Sequence, residues 1–222
     1  MTRNKAVEEA RGDFIAFIDD DEFPTPQWLL TLLTACNEYG VEGVLGPVMP
    51  YFDENTPRWI VKGGFYDRPR HPSGTRLVWD QTRTGNVLMK RRLFAEGQRF
   101  NAEFLAASDQ EFFRKAMAKG CVFNWCNEAV VYEVIPPGRC KRSFLVRKAL
   151  FKGGFSRRIA GSSLIPFVVS FIAVPAYVAA LPLALISGQA RFMKYASRLC
   201  YHVGRLLALF GINLVKTPYV TD

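Results

Sequence analysis

Acidic side chains are absent from residues 134–221, which carry 13 Lys and Arg and not one Asp or Glu. Residues 1–133 hold 16 basic and 19 acidic side chains, so the net charge of +9 on the 222-residue chain belongs to its last part alone. A nucleic-acid-binding domain needs cations on the folded surface that meets phosphate; the folded part here is slightly acidic, and no nucleic-acid partner is expected. Cysteine is scarce: Cys36, Cys121, Cys126, Cys140 and Cys200 are scattered and odd in number. Cys121 and Cys126 are too widely spaced for a typical zinc knuckle, and neither His lies near them, so reduced, buried thiols of a cytosolic domain are expected. Internal repeats, low-complexity tracts and a signal peptide are also lacking, since the opening "MTRNKAVEEARG" reads as a charged helix.

The same basic region contains the longest uncharged run, "LIPFVVSFIAVPAYVAALPLALI", residues 164–186. As a helix it is long enough to cross a bilayer core of roughly 30 Å, and its three prolines are better tolerated in lipid than in water. A buried helix hairpin of a soluble core is the alternative. Eight cations from Arg139 to Arg158 precede the run, and Arg191, Lys194 and Arg198 follow it. The richer side is expected at the cytoplasmic face, which places the N-terminal domain in the cytoplasm at the cytoplasmic membrane. A second segment, "LCYHVGRLLALFGINLV", holds His202 and Arg205; it could cross, complete a hairpin or lie in the interface.

Before that region the pattern is α/β. A helix ending at Gly12 precedes an unalternating apolar run, residues 14–18, of the kind a parallel sheet covers on both faces. Thr25 and Pro26 read as N-cap and first helical position of a helix that stops at Gly40. Residues 41–52 read as a strand, 51–83 as a long ordered loop, 84–97 as strand and short helix, 108–120 as a helix and 121–134 as a strand. Three segments are expected: a folded domain over 1–136, a basic stretch over 137–160 and membrane-associated helices over 161–222.

At the end of the first strand stands "FIDDDEFP". Four acids in a row behind an apolar strand raise one another's pKa unless a cation compensates, and a hard ion with oxygen ligands, Mg²⁺ or Mn²⁺, does so most simply. Attraction to the start of the following helix accounts for Glu22 but not for all four. A calcium loop would need Gly where Pro24 stands. A D-x-D phosphatase would need a hydroxyl residue where Phe23 stands, and that reading is secondary.

"ARGDFIAFIDDDEFPTPQWL", "TGNVLMKRRLF", "SDQEFFRKAMAKG" and "VIPPGRCKRSFLVRKALFKGG", in this order, resemble the four motifs of the family-2 glycosyltransferases of bacterial exopolysaccharide type. The resemblance covers residues 3–158. It implies a GT-A fold, Rossmann-like with a mostly parallel sheet, and an inverting, metal-dependent transfer from a nucleotide-sugar, a UDP-sugar by expectation, to a lipid-linked or polysaccharide acceptor. Asp19 and Asp21 would hold the metal, Asp19 and Asp20 would serve the nucleotide, and Asn86 beside Gly85 would line the sugar. Arg139, Lys141 or Arg142 would neutralise the diphosphate, and Asp109 would be the general base. Ser108-Asp109-Gln110-Glu111 also has the form of a capping box, and both roles can coexist. Ser108 stands where the family usually has Glu, and Glu133 where it often has His. The Q-x-x-R-W motif of processive synthases is absent, which favours single transfers. The family's nucleotide-base pocket is built from strand–helix units ahead of the metal strand. Here the chain is expected to be incomplete at its front, to borrow that half from a partner chain, or to be a catalytically incomplete membrane-associated remnant.

Overall fold

The computed structural model describes residues 2–95, 97–101, 108–160 and 164–215, so both ends of the expected 161–222 segment lie outside the described residues. The chain divides into two compact units, residues 1–51 with 66–134, and 52–65 with 135–222. The expected boundary at 136 falls next to the observed break after Val134. Residues 52–65, read from sequence as the start of a loop, join the second unit.

In the first unit α1 (Thr2–Glu9) leads to β1 (Phe14–Ile18), β2 (Glu22–Pro24), α2 (Trp28–Tyr39), β3 (Gly43–Leu45) and β4 (Val48–Phe52). After α3 (Arg58–Gly63), which lies in the other unit, come β5 (Asn86–Lys90), α4 (Ser108–Ala118), β6 (Phe123–Trp125) and β7 (Val131–Ile135). One sheet has the order β1-β5-β3-β6 and the other β2-β7-β4. Two runs expected as single strands, 41–52 and 121–134, therefore each break in the middle and pass from one sheet to the other.

The α/β class is as expected, with a difference in the ladders. β1, β3 and β6 share one direction, but β5 lies between β1 and β3 and runs against both. β5 arrives from a long irregular connection, not a crossover helix, so nothing obliges it to run parallel. Along β5, Val87 and Met89 enter one buried cluster with Phe112, Phe113 and Phe123, while Leu88 enters another with Trp28, Leu32 and Val44. Both faces of the inner strands are thus covered. β1 is an edge strand and is not covered on both faces: Ile15 and Phe17 are buried, whereas Ala16 and Ile18 are exposed.

α2 stops at Gly40 as expected but starts at Trp28, not at Thr25. Thr25 is drawn away from capping because both its N–H and its hydroxyl bond the Val130 carbonyl, at 3.1 and 3.2 Å, extending the β2–β7 ladder.

The second unit holds α3, α5 (Arg142–Ala160), α6 (Ile165–Ile186) and α7 (Gln189–Leu209). α7 packs along both α5 and α6. Ile60 of α3 is fully buried and α3 packs on α7, which is why this part of the expected loop belongs here. α6 is long and apolar enough to cross a membrane, and most of its length is not buried against the rest of the protein.

Candidate active site

β1 delivers the acidic turn. Glu22 N–H donates to the Asp19 carbonyl at 3.1 Å, and Asp19 N–H donates back to Glu22 Oε2 at 3.0 Å, so the turn closes on itself. Its far side is stitched to β7: Val134 N–H donates to the Asp21 carbonyl at 2.9 Å, and Glu22 pairs in register with Glu133. Arg68 compensates the two facing acids, ion-paired to Glu133 and 3.9 Å from Glu22 Oε1. That second distance gives charge attraction but no hydrogen bond, and Glu22 Oε1 is buried without a hydrogen-bond partner. Asp19 is half-exposed and meets Arg3 at 3.3 Å.

The turn also leans on Gly85. A Cβ there would lie 2.8 Å from Glu22 Oε1 and 3.2 Å from Asp19 Oδ2, so only glycine lets both carboxylates converge on that point. Burial, the largest cause, pushes the Glu22 carboxyl up to about 7; the Asp19 N–H bond and Arg68 oppose the rise, and the charges of Asp19 and Glu133 add to it. The unfolded chain therefore releases a proton that the folded chain keeps. The stability contributed by this carboxyl is full below about pH 4.5 and is lost as pH rises to about 7. In metal-free protein we expect a loss of about 3 kcal/mol across that window, followed by urea denaturation; Glu22→Gln should flatten it.

The other half of the site comes from α4. Asp109 lies in its first turn, where Oδ1 accepts the Gln110 N–H at 2.9 Å. The expected capping box is not formed by Glu111, which turns toward Lys115 on the next turn. Arg83 links the two halves. Burial, then repulsion from Arg68, lowers its pKa, and the negative charges of Asp109, Glu22 and Glu133 oppose that fall. Asp109 and the acidic turn, 87 residues or more apart in sequence, thus share one electrostatic neighbourhood around a guanidinium.

The profile of Glycosyl transferase family 2 matches residues 2–97, which contain β1, the acidic turn and β5. Over these residues the chain is similar to that family, and the match spans a little under half of its length. Over 97% of its length the chain is also 27% identical to the succinoglycan biosynthesis protein ExoM of Rhizobium meliloti (strain 1021), covering 72% of that protein. Among solved structures it is similar to S. aureus TarS in complex with UDP (16% identity, 95% of this chain and 70% of that one, TM-score 0.44). A TarS structure with UDP-GlcNAc is similar at 13% identity (94% and 71%, TM-score 0.45). The family match and the relationship to ExoM support a glycosyltransferase.

The remaining residues marked from sequence fall into separate groups. Asp20 is exposed at the turn's tip. Asn86 is fully buried and spent on the fold: Oδ1 accepts from Trp28 Nε1 at 2.8 Å, and Nδ2 donates to the Pro47 and Ala129 carbonyls at 2.9 and 2.7 Å. It has no free polar atom for a sugar. Asn86→Ala would orphan an indole N–H and two carbonyls, and is expected to cost 3 kcal/mol or more, by the order of about 1–3 per orphaned group, read by thermal or urea unfolding. Arg139 and Arg142 belong to the second unit. Arg142 lies against Gln189, whose amide oxygen also accepts from Trp59 Nε1.

Among the described residues no three His, Cys, Asp or Glu side chains converge as a metal cage. Asp19 and Glu22 converge beside Gly85. Two carboxylates, one of them with an orphaned buried oxygen, fit a hard divalent ion that takes its other ligands from phosphate and water. Arg68 and Arg83 were not singled out in the sequence, because nothing in their local context marks them; Glu22 was read there as part of the acidic run, without a ligand role of its own. Nor was the aromatic face of the second sheet, where exposed Phe23 stacks on Tyr132 at 5.4 Å and meets Tyr51 edge-on at 5.3 Å.

Proposed function

We propose that this chain transfers a sugar, with inversion, from a nucleotide-sugar, a UDP-sugar, to a lipid-linked or polysaccharide acceptor in exopolysaccharide synthesis, at the cytoplasmic face of the membrane. The observation that carries the reading is the carboxylate turn at the end of β1, where Asp19 and Glu22 converge beside Gly85, together with a candidate base in the first turn of α4. Asp19 and Glu22, with Asp21 in the same turn, are the residues that would hold Mg²⁺ or Mn²⁺. Bound there, the ion would neutralise charge on the departing diphosphate. Asp109 accepts the proton of the acceptor hydroxyl, and Arg68 and Arg83 are cations in the same charge neighbourhood that would offset the developing negative charge. The relationship to ExoM, a succinoglycan biosynthesis protein, favours a polysaccharide-forming role.

The test is transfer of labelled sugar from UDP-sugars to a lipid-linked glycan with Mn²⁺, comparing wild type with Asp21→Ala and Asp109→Asn. Mn²⁺-dependent transfer lost in both variants supports the reading; no metal-dependent UDP binding and no transfer above the variants sinks it. A second reading, that a further polypeptide completes the donor site, is favoured by one observation: β1, which carries the acidic turn, is an edge strand. Transfer by the purified chain alone would dismiss it.

A further inference from the structure

α6 passes the length and composition test for a membrane span, yet its neighbour does not suit that position. α7 runs antiparallel along it. Arg205 Nη1 donates to the Pro166 carbonyl at 3.1 Å, Ser170 Oγ is 3.0 Å from His202 Nδ1, and the Tyr177 ring meets Tyr195 at 5.7 Å. These three levels cover α6 from its first turn to beyond its middle. Arg198 lies on α7 between Tyr195 and His202, hence level with the stretch between Tyr177 and Ser170, the centre of α6. Lys194 adjoins the Tyr195 level, and Arg191 follows one turn on.

All three cations are exposed and fall at i, i+3 and i+7, on one stripe of α7. If α6 stood across a bilayer with α7 beside it, Arg198 and Lys194 would sit in hydrocarbon near the midplane. Each costs about 2.5–3.5 kcal/mol there on insertion scales, and more in other treatments. α7 cannot be peeled away cheaply, because it is wedged on its other side against α5. A Cβ on Gly153 would lie 2.0 Å from the Tyr201 carbonyl, so the two backbones are in direct contact there. Arg205 ties the layer together, donating to Ser156 Oγ of α5 at 2.9 Å as well as to α6.

α6 nonetheless leaves a broad apolar face uncovered, including Val168, Val169, Phe171, Ile172, Leu183 and Leu185, each about half exposed or more. A surface that joins uncovered aliphatic side chains to cations, in a region with no acid from residue 134 to 221, is complementary to an anionic lipid surface. We propose that α6 lies in the plane of an anionic bilayer interface, inserted by its outer apolar face without crossing, with Arg191, Lys194 and Arg198 at headgroup level. The proposal rests on the reading of the chain as membrane-associated and specifies its geometry: one leaflet entered, neither end translocated.

Two measurements on the full chain test it, with vesicles of equal parts phosphatidylcholine and phosphatidylglycerol. In the first, Ile165→Trp, Ile172→Trp, Val178→Trp and Leu185→Trp report depth through lipids brominated high or low on the acyl chain, after subtraction of wild-type quenching. Similar, shallow depths at all four sites are expected; deep quenching at 172 and 178 with shallow quenching at 165 and 185 would mean a crossing helix and overturn the proposal. In the second, Arg191→Gln, Lys194→Gln and Arg198→Gln together should weaken vesicle binding about 100-fold, from about 1 kcal/mol per cation near an anionic surface. A crossing α6 predicts the opposite sign, since removing charge from hydrocarbon strengthens insertion. Absence of any vesicle binding by wild type would overturn membrane association itself. Burial of the α6 face in a dimer, seen by light scattering without lipid, would assign that face to a second copy and overturn the proposal.

Discussion

Asp109→Asn is expected to lower the rate of sugar transfer by a factor of about 10²–10⁴, the usual contribution of a positioned general base, while UDP-sugar affinity changes little. The substitution separates the two roles this residue can have. Asp109 occupies the first turn of α4 and accepts the Gln110 N–H, so part of its work is structural. Asn satisfies a helix N-terminus about as well as Asp and keeps the same shape. If anchoring α4 were the whole role, the variant would retain both its stability and its activity. If Asp109 takes the acceptor's proton, the amide cannot replace it, and the rate falls while the unfolding midpoint stays put.

The expected split between rate and affinity follows from position. On the proposed reading the donor contacts lie at the turn at the end of β1, and Asp109 shares the field of Arg83 with Glu22 of that turn. Removing its charge deprives Arg83 of one of three carboxylates that favour its charged form, a modest loss for a guanidinium that still has Glu22 and Glu133. A fall in donor affinity as large as the fall in rate would show that Asp109 helps to assemble the donor site, and would defeat its assignment as base.

The reach of the sequence can be judged from the same residues. Asp109 and the acidic turn were visible because each sits at a place the sequence punctuates, one at the start of an amphipathic helix and one at the end of an apolar strand. What joins them was not visible. Arg68 and Arg83 come from an irregular connection with no periodicity, and their partners are fixed by which strands pair, β2 with β7, not by local pattern. The structural role of Asn86 was hidden for the same reason. Asn beside Gly at a strand start looks like a ligand-facing turn, and only the tertiary placement of Trp28, Pro47 and Ala129 shows its polar atoms consumed. The strand breaks at residues 46–47 and 126–130 were hidden because both halves of each run are apolar, and hydropathy alone does not say which sheet a strand enters.

Arg68→Met is expected to destabilise the first unit by about 3–5 kcal/mol at pH 7, the cost of leaving buried charge without its partner. Glu22 and Glu133 are register partners across the β2–β7 ladder, with side chains 1% and 13% exposed, so neither carboxylate can turn to water for relief. Like charges placed opposite one another already disfavour a ladder, and Arg68 is the cation set between these two. Without it the Glu22 carboxyl, held at about 7 with the arginine present, must rise further. An acid raised in the folded state loses stability as pH rises above its unfolded value, so the variant's deficit should be small near pH 4.5 and grow through neutrality. Urea unfolding at a series of pH values reads both the size and the slope. Adding Glu133→Gln to Arg68→Met should recover much of the loss, because the second change removes one of the two negative charges that Arg68 compensates. If the single variant is within about 1 kcal/mol of wild type at every pH, the scale of an exposed surface pair, then the turn is held by its backbone bonds to β7 alone. In that case Arg68 is available to a ligand instead of being committed to the fold.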